Sequence, residues 1–225
     1  MNDTSHMWKD SKNKPQVIIS KTDTYDKLTE LQGDFWIIDN VFSSDFCESV
    51  ITKFEADDRK SKGVISSGEG KDYKVSTDLM ISGIKGWERE DEHIFKEIFK
   101  QIQQLLLQLL KPFADDIQIN IPFGRDDGYN IQRTNVGGYY KWHIEIGGYG
   151  PDIDRTLILV IYLNDKGLKG GGTHFQRQGV LVEPREGRLV MFPPHWTHIH
   201  CGSTVEEGIK YIIFTSFKPA LDEKV

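Results

Sequence analysis

The sequence predicts a mainly β protein with supporting helices, built as an antiparallel sandwich or barrel. From Asp116 onward, short apolar runs recur between Gly137-Gly138, Gly147-Gly148, Asn164-Asp165, Gly170-Gly171-Gly172 and Glu186-Gly187, the pattern of strands joined by tight turns. Before that point the apolar period is helical, most clearly over 90–111. No strand–helix alternation runs along the chain, which argues against a doubly wound nucleotide fold. The 225 residues suit one domain over 15–225, with helical support mainly in 15–128 and a strand core at about 129–217. Residues 1–14 are polar and aperiodic and are expected to be a disordered tail.

Taken in order, strands are expected at 17–20 and 35–38. A helix then enters at Ser44, which can cap it. Asp45 and Glu48 suit its first turn, and Phe46, Val50, Ile51 and Phe54 recur at helical spacing. Residues 57–73 are rich in Asp, Lys, Ser and Gly and read as a mobile surface loop. The second helix carries Ile94, Phe95, Ile98, Ile102, Leu105, Leu106, Leu109 and Leu110 as its apolar stripe. Gln101, Gln103, Gln104 and Gln108 fall opposite, and Pro112 ends it. Further strands are expected at 129–134, 139–145, 156–163, 179–182, 188–192, 197–200 and 209–217.

Composition narrows the function. Hydrophobic residues at 38% and charged residues at 28% indicate a globular chain. A net charge of −6 argues against a nucleic-acid surface, which needs a concentrated positive patch. The lysines at 9, 12 and 14, and those at 60, 62, 71 and 74, read as solvated faces. Cys47 and Cys201 read as free thiols in a reducing compartment. The N-terminus lacks an apolar signal stretch and no run approaches a membrane span, so a cytoplasmic location is expected, without a membrane partner.

Strand alternation places chemistry. In 139–145, His143 and Glu145 share a face, and in 197–200 so do His198 and His200. In 209–217 Lys210 leads a face continued by Ile212 and Phe214; a buried ammonium there needs an anionic partner. Two imidazoles and a carboxylate are the ligand set of a non-haem iron(II) oxygenase, which keeps coordination positions open. His-x-Glu alone is a weak signal, since solvent-facing pairs of this kind are common.

Five ordered blocks add to it. Tyr140-Lys-Trp-His143-Ile-Glu145, Arg155 through Tyr162-Leu163-Asn164, Gly171-Gly172-Thr173-His174-Phe175 and Pro184 through Pro193 are followed by His200 with Val205, Gly208 and Lys210. Together they resemble the catalytic core of 2-oxoglutarate/iron(II) dioxygenases, particularly the prolyl-4-hydroxylase-like branch. The resemblance implies a double-stranded β-helix (a jelly roll, cupin-like) and the use of Fe(II), 2-oxoglutarate and O2. It implies His143, Glu145 and His200 as metal ligands, and Lys210 as anchor for the 2-oxoglutarate distal carboxylate, assisted by Tyr140 or Thr173. The ten-residue step to Lys210 favours His200 over His198, and His195 follows a Pro-Pro turn. His198, Tyr162, Gln132, Trp142, Arg133 and Trp196 are expected to line or support the pocket, with 57–75 and 147–154 as mouth loops. The implied reaction is hydroxylation of a prolyl or other residue in a peptide or protein. Hydroxylation of a free amino acid or small metabolite, and a catalytically silent binding module, are the alternatives. One departure stands out: the family usually has aspartate where this chain has Glu145, and the extra methylene must be accommodated.

Overall fold

The protein is described here by a computed structural model, which covers residues 14–31, 33–64, 73–110, 124–147 and 152–219. Strands β1 (Val17–Ile19), β2 (Thr29–Leu31) and β3 (Phe35–Ile38) precede helix α1 (Ser44–Ala56). Strands β4 (Ser61–Lys62) and β5 (Thr77–Met80) lead to helix α2 (Glu88–Leu110). Then follow β6 (Arg125–Asp126), β7 (Asn130–Thr134), β8 (Tyr140–His143), β9 (Leu157–Tyr162), β10 (Lys169–Gly170) and β11 (Thr173–Phe175). The last are β12 (Val180–Val182), β13 (Leu189–Phe192), β14 (His200–Gly202), β15 (Val205–Glu207) and β16 (Lys210–Lys218).

A large sheet runs β2-β3-β13-β9-β16-β7-β5-β4, with β6 beside β16, and a smaller one runs β1-β12-β11-β14-β8. The pairing is antiparallel except for β1 with β12. β9 explains the layering. Leu157, Leu159 and Ile161 pack with Ile94, Ile98 and Ile102 of α2 and with Val50 and Phe54 of α1. The alternate residues Ile158, Val160 and Tyr162 pack with Phe175, Val180 and Val182 of the smaller sheet. A strand covered on both faces must be apolar throughout, and all six β9 residues are buried. Each such Ile or Leu contributes roughly 1.5–3 kcal/mol by leaving water, so a charge at Ile161 would disrupt the helix-facing core. The two sheets thus form the double-stranded β-helix, with the helices on the outer face of the larger.

Residues 73–75 link the sheets. Lys141 donates its N–H to Tyr73 O at 2.8 Å, and Val75 donates to Tyr139 O at 2.9 Å. This puts a bridge between Lys74 and Tyr140 on the outer edge of β8. The same chain then enters β5 of the large sheet.

Several expectations are corrected. Ser43 caps α1: it is extended (φ −70, ψ 155) and its Oγ accepts from Phe46 N–H at 3.3 Å. Ser44 donates its hydroxyl to Glu186 instead. Gln101, expected on the solvent face of α2, is buried, whereas Phe95 of the apolar stripe is exposed and stacks on Phe99. The segment 197–200 is not a strand: Trp196–His198 is a 3-10 turn, and β14 starts at His200. The second lysine cluster is only partly solvated. Lys60 caps the end of α1 by donating to Phe54 O at 2.8 Å and Glu55 O at 2.9 Å. Lys74 is buried and donates to Asp78 Oδ2 at 2.6 Å. Both cysteines are free and buried. Among the described residues no helix is long and apolar enough to cross a membrane. The tail at 1–13, Pro112, Lys71 and the loop centres 65–72 and 148–151 lie outside the described residues.

Candidate active site

β8 and β14 pair antiparallel with His143 opposite His200 and Gly202 opposite Tyr140. That register brings the two imidazoles together, their centroids 4.2 Å apart. β8 ends at His143, earlier than expected. Glu145 lies in the following bend, its N–H donating to Pro194 O at 3.0 Å. The bend still returns its carboxylate to the histidines: Oε1 is 2.9 Å from His143 Nε2 and 3.4 Å from His200 Nε2. One ligand atom from each of these three residues lies within 4.8 Å of the others.

The hydrogen bonds fix what these atoms offer. His143 Nδ1–H donates to Lys141 O at 2.7 Å, and His200 Nδ1–H donates to His198 O at 2.9 Å. A carbonyl can only accept, so Nδ1 of each ring carries a proton and Nε2 is the nitrogen turned to the carboxylate; in the neutral form of each ring it presents a lone pair there. Two such lone pairs facing a carboxylate oxygen repel unless a cation lies between them. Burial, then the charge of His143, push the His200 imidazole below its ordinary range, favouring the neutral ligand form. Burial works against ionisation of Glu145, but His143 and His200 beside it hold its carboxyl well below the usual carboxylate range. Neutral imidazoles oriented through Nδ1 and an ionised carboxylate are what a divalent first-row metal requires.

A cavity of about 410 Å³ opens beside this cluster, lined by Tyr140, Thr173, Gly202 and Lys210 as well as the three ligand candidates. Lys210 is 6% exposed and donates to Gly171 O at 3.0 Å. Burial brings its ammonium down to about 8, opposed by nearby Cys201 and assisted by the charge of Lys74. Among the described residues no carboxylate pairs with it. The Tyr140 ring stacks on His143 at 3.6 Å, and burial raises its phenol, which remains a donor. Thr173 Oγ1 lies 2.5 Å from Tyr162 OH, a contact that orients the threonine hydroxyl from behind. Gly202 keeps the cradle open: a Cβ there would stand 3.4 Å from Tyr140 Cβ and 3.7 Å from Lys210 Nζ.

The remaining predicted residues separate. Gln132 lines the cavity, as do Val64, Lys74 and Asp152 from the two expected mouth segments. Arg133 alternates to the opposite face of β7 and pairs with Glu55 at 2.8 Å. Trp142 also alternates away, its ring meeting His174 at 4.9 Å. Trp196 is 62% exposed beneath the Arg177 guanidinium. His198 does not point inward: its Nε2–H donates to Gly33 O at 2.7 Å and Nδ1 accepts from Thr197. Its carbonyl, rather than its ring, serves the site by orienting His200. Sequence reasoning missed Asn130 and Arg155, which line the cavity.

Residues 129–218 match the family described as the 2OG-Fe(II) oxygenase superfamily. This stretch, less than half of the chain, is similar to a 2OG-Fe(II) oxygenase domain. It contains all three ligand candidates and Lys210. Human procollagen-lysine,2-oxoglutarate 5-dioxygenase 2 is 24% identical over 201 residues, covering 82% of this chain, and the mouse protein is equally similar. The chain spans 23% of the length of these relatives. In fold, this chain resembles a prolyl hydroxylase from Trichoplax adhaerens, solved with a hypoxia inducible factor peptide fragment. The TM-score is 0.65 at 14% identity, covering 84% of each chain. A Pseudomonas putida prolyl-4-hydroxylase gives a TM-score of 0.60 at 14% identity, over 83% of this chain and 94% of that one.

Proposed function

We propose that this protein is an iron(II)- and 2-oxoglutarate-dependent hydroxylase of a residue in a peptide or protein, with prolyl the first target to test. The observation that carries the reading is the pairing of two unmet demands in one cavity. Two Nε2 lone pairs and a carboxylate converge where a cation is needed, and a buried ammonium faces the same space with no carboxylate of its own among the described residues. His143, Glu145 and His200 would hold the metal, and Lys210 would meet the distal carboxylate of 2-oxoglutarate. A lysine offers a point charge rather than a fork, so the hydroxyls of Thr173 and Tyr140 supply further donors. Iron(II) bound here would supply dioxygen activation driven by 2-oxoglutarate, which leaves as succinate and carbon dioxide while a substrate C–H becomes C–OH.

The chain's own contribution is positional. The carbonyls of Lys141 and His198 fix the imidazole tautomers, Tyr140 packs against His143, and Tyr162 orients Thr173. Val160, Ile212 and Phe214 form an apolar wall that limits water beside the ligands. A peptide substrate is supported by the likeness to the Trichoplax enzyme, which was solved in complex with a peptide fragment.

The deciding experiment incubates the protein with iron(II), 2-oxoglutarate and a peptide library, measuring succinate and a mass gain of one oxygen atom. Prolyl peptides should stimulate succinate release in step with product. Stimulation by a metabolite screen but by no peptide would overturn the peptide reading. Iron binding without any response to 2-oxoglutarate would leave a silent binding module.

A further inference from the structure

We propose that Arg155 is a positioning residue that adapts the site to glutamate as its carboxylate ligand, by holding one oxygen of Glu145 so that the other faces the metal. This rests on the metal site proposed above. Arg155 stands just before β9 with its side chain 14% exposed. Its Nη1 donates to the Glu145 backbone carbonyl at 2.9 Å and reaches Glu145 Oε2 at 3.4 Å. The opposite oxygen, Oε1, is the one turned toward both histidine Nε2 atoms.

The guanidinium is itself fixed. Nη2 meets Asp152 Oδ1 at 2.8 Å, Nε donates to Asp127 Oδ2 at 3.3 Å, and the group lies 5.6 Å from the centre of the Phe214 ring. A planar fork held on three sides defines a direction for Oε2 in a way that a flexible ammonium cannot. The two aspartates also neutralise Arg155, so the tether need not repel the ligand centre.

Glutamate requires such a device here for two reasons. Glu145 lies beyond the last residue of β8, so the ladder that fixes His143 does not reach it. Its side chain also has one more rotatable bond than aspartate, and unrestrained it would spread the carboxylate over several positions. Pro194 O already holds the Glu145 N–H, and Arg155 adds a grip on its carbonyl and on the carboxylate that the backbone bond leaves free.

The test measures cobalt(II) binding by ligand-field absorption, without 2-oxoglutarate or substrate, in four proteins: unsubstituted, R155Q, E145D and E145D/R155Q. R155Q should weaken cobalt(II) binding roughly 10–100-fold, the usual cost of losing a group that orients a ligand. Aspartate is too short to reach the guanidinium but keeps the backbone contact, so the same substitution in the E145D background should weaken binding clearly less than it does with Glu145. Equal losses in both backgrounds would overturn the proposal, since Arg155 would then act only by holding the surrounding loop. An unchanged affinity with a raised peptide KM would also overturn it, marking Arg155 as a substrate contact. If circular dichroism shows R155Q to be unfolded, R155K decides: it should weaken cobalt(II) binding more when Glu145 is present than in the E145D background, and equal behaviour refutes the tether. Failure of the unsubstituted protein to bind cobalt(II) would instead refute the metal site itself.

Discussion

Replacing Lys210 with methionine tests whether the buried ammonium is kept for a ligand rather than for the fold. The side chain is 6% exposed and its one described hydrogen bond is to Gly171 O. Burial brings its pKa from 10.5 to about 8. The unfolded chain therefore binds that proton more tightly than the folded one. The resulting destabilisation is complete below pH 8 and fades as pH rises toward 10.5, and at neutral pH it amounts to about 3 kcal/mol. Methionine fills similar space without charge but leaves the Gly171 carbonyl unmet, which costs about 1–2 kcal/mol. The net gain of about 1–2 kcal/mol should raise Tm on the order of 5 °C. The same substitution strands the 2-oxoglutarate carboxylate without its partner, a loss of about 2–5 kcal/mol, or at least roughly 30-fold in Kd. Differential scanning fluorimetry of the apoprotein and anaerobic calorimetry with 2-oxoglutarate read the two effects separately. A variant that melts earlier while binding 2-oxoglutarate normally would refute the reasoning, because Lys210 would then be a structural group.

Three further outcomes follow from the same geometry. H200A should lose tight metal binding, whereas H198A should keep it and lose about 1–3 kcal/mol of stability through the orphaned Gly33 carbonyl; metal analysis after dialysis, with denaturant melts, separates them. G202V should abolish 2-oxoglutarate binding while cobalt(II) still binds, since the added methyls enter the space between Tyr140 and Lys210. Calorimetry with each ligand checks this. Affinity for 2-oxoglutarate should be insensitive to Lys210 ionisation below pH 8 and fall by up to about tenfold per pH unit above it, as the free protein's ammonium deprotonates. Proton uptake on binding near that pH, measured in buffers of different ionisation enthalpy, would support this, and a flat profile to about pH 9 would refute it.

The parts of the fold legible in the sequence are those where one interaction dominates. β9 and β16 are apolar at the spacing of a sheet buried on both faces, and alternation correctly turned Lys210 inward with Ile212 and Phe214. The His143–His200 juxtaposition was readable through the family pattern, although its cause, a cross-strand register between β14 and β8, is not local. What escaped depends on partners distant in the chain. Lys74 looks like one of several loop lysines until Asp78 and Tyr140 enclose it. Arg155 looks like a charge at the edge of a strand until Glu145, Asp152 and Asp127 converge on it. A signal for it did exist: an arginine one residue removed from an unbroken apolar run is an unfavourable neighbour for a core unless it has carboxylates to meet. His-x-His at 198–200 suits a strand equally well; the 3-10 turn instead depends on the His198 N–H reaching back to His195 O and its ring reaching Gly33 O.

The crossing of residues 73–80 from the edge of β8 to β5 bears on how the site can breathe. A covalent chain of fixed length joins the sheet that carries His143 to the sheet that carries Lys210, so on that side the two walls cannot separate to admit a bulky guest. It also occupies the one flank of β8 that β14 leaves bare, denying it to a strand from another molecule.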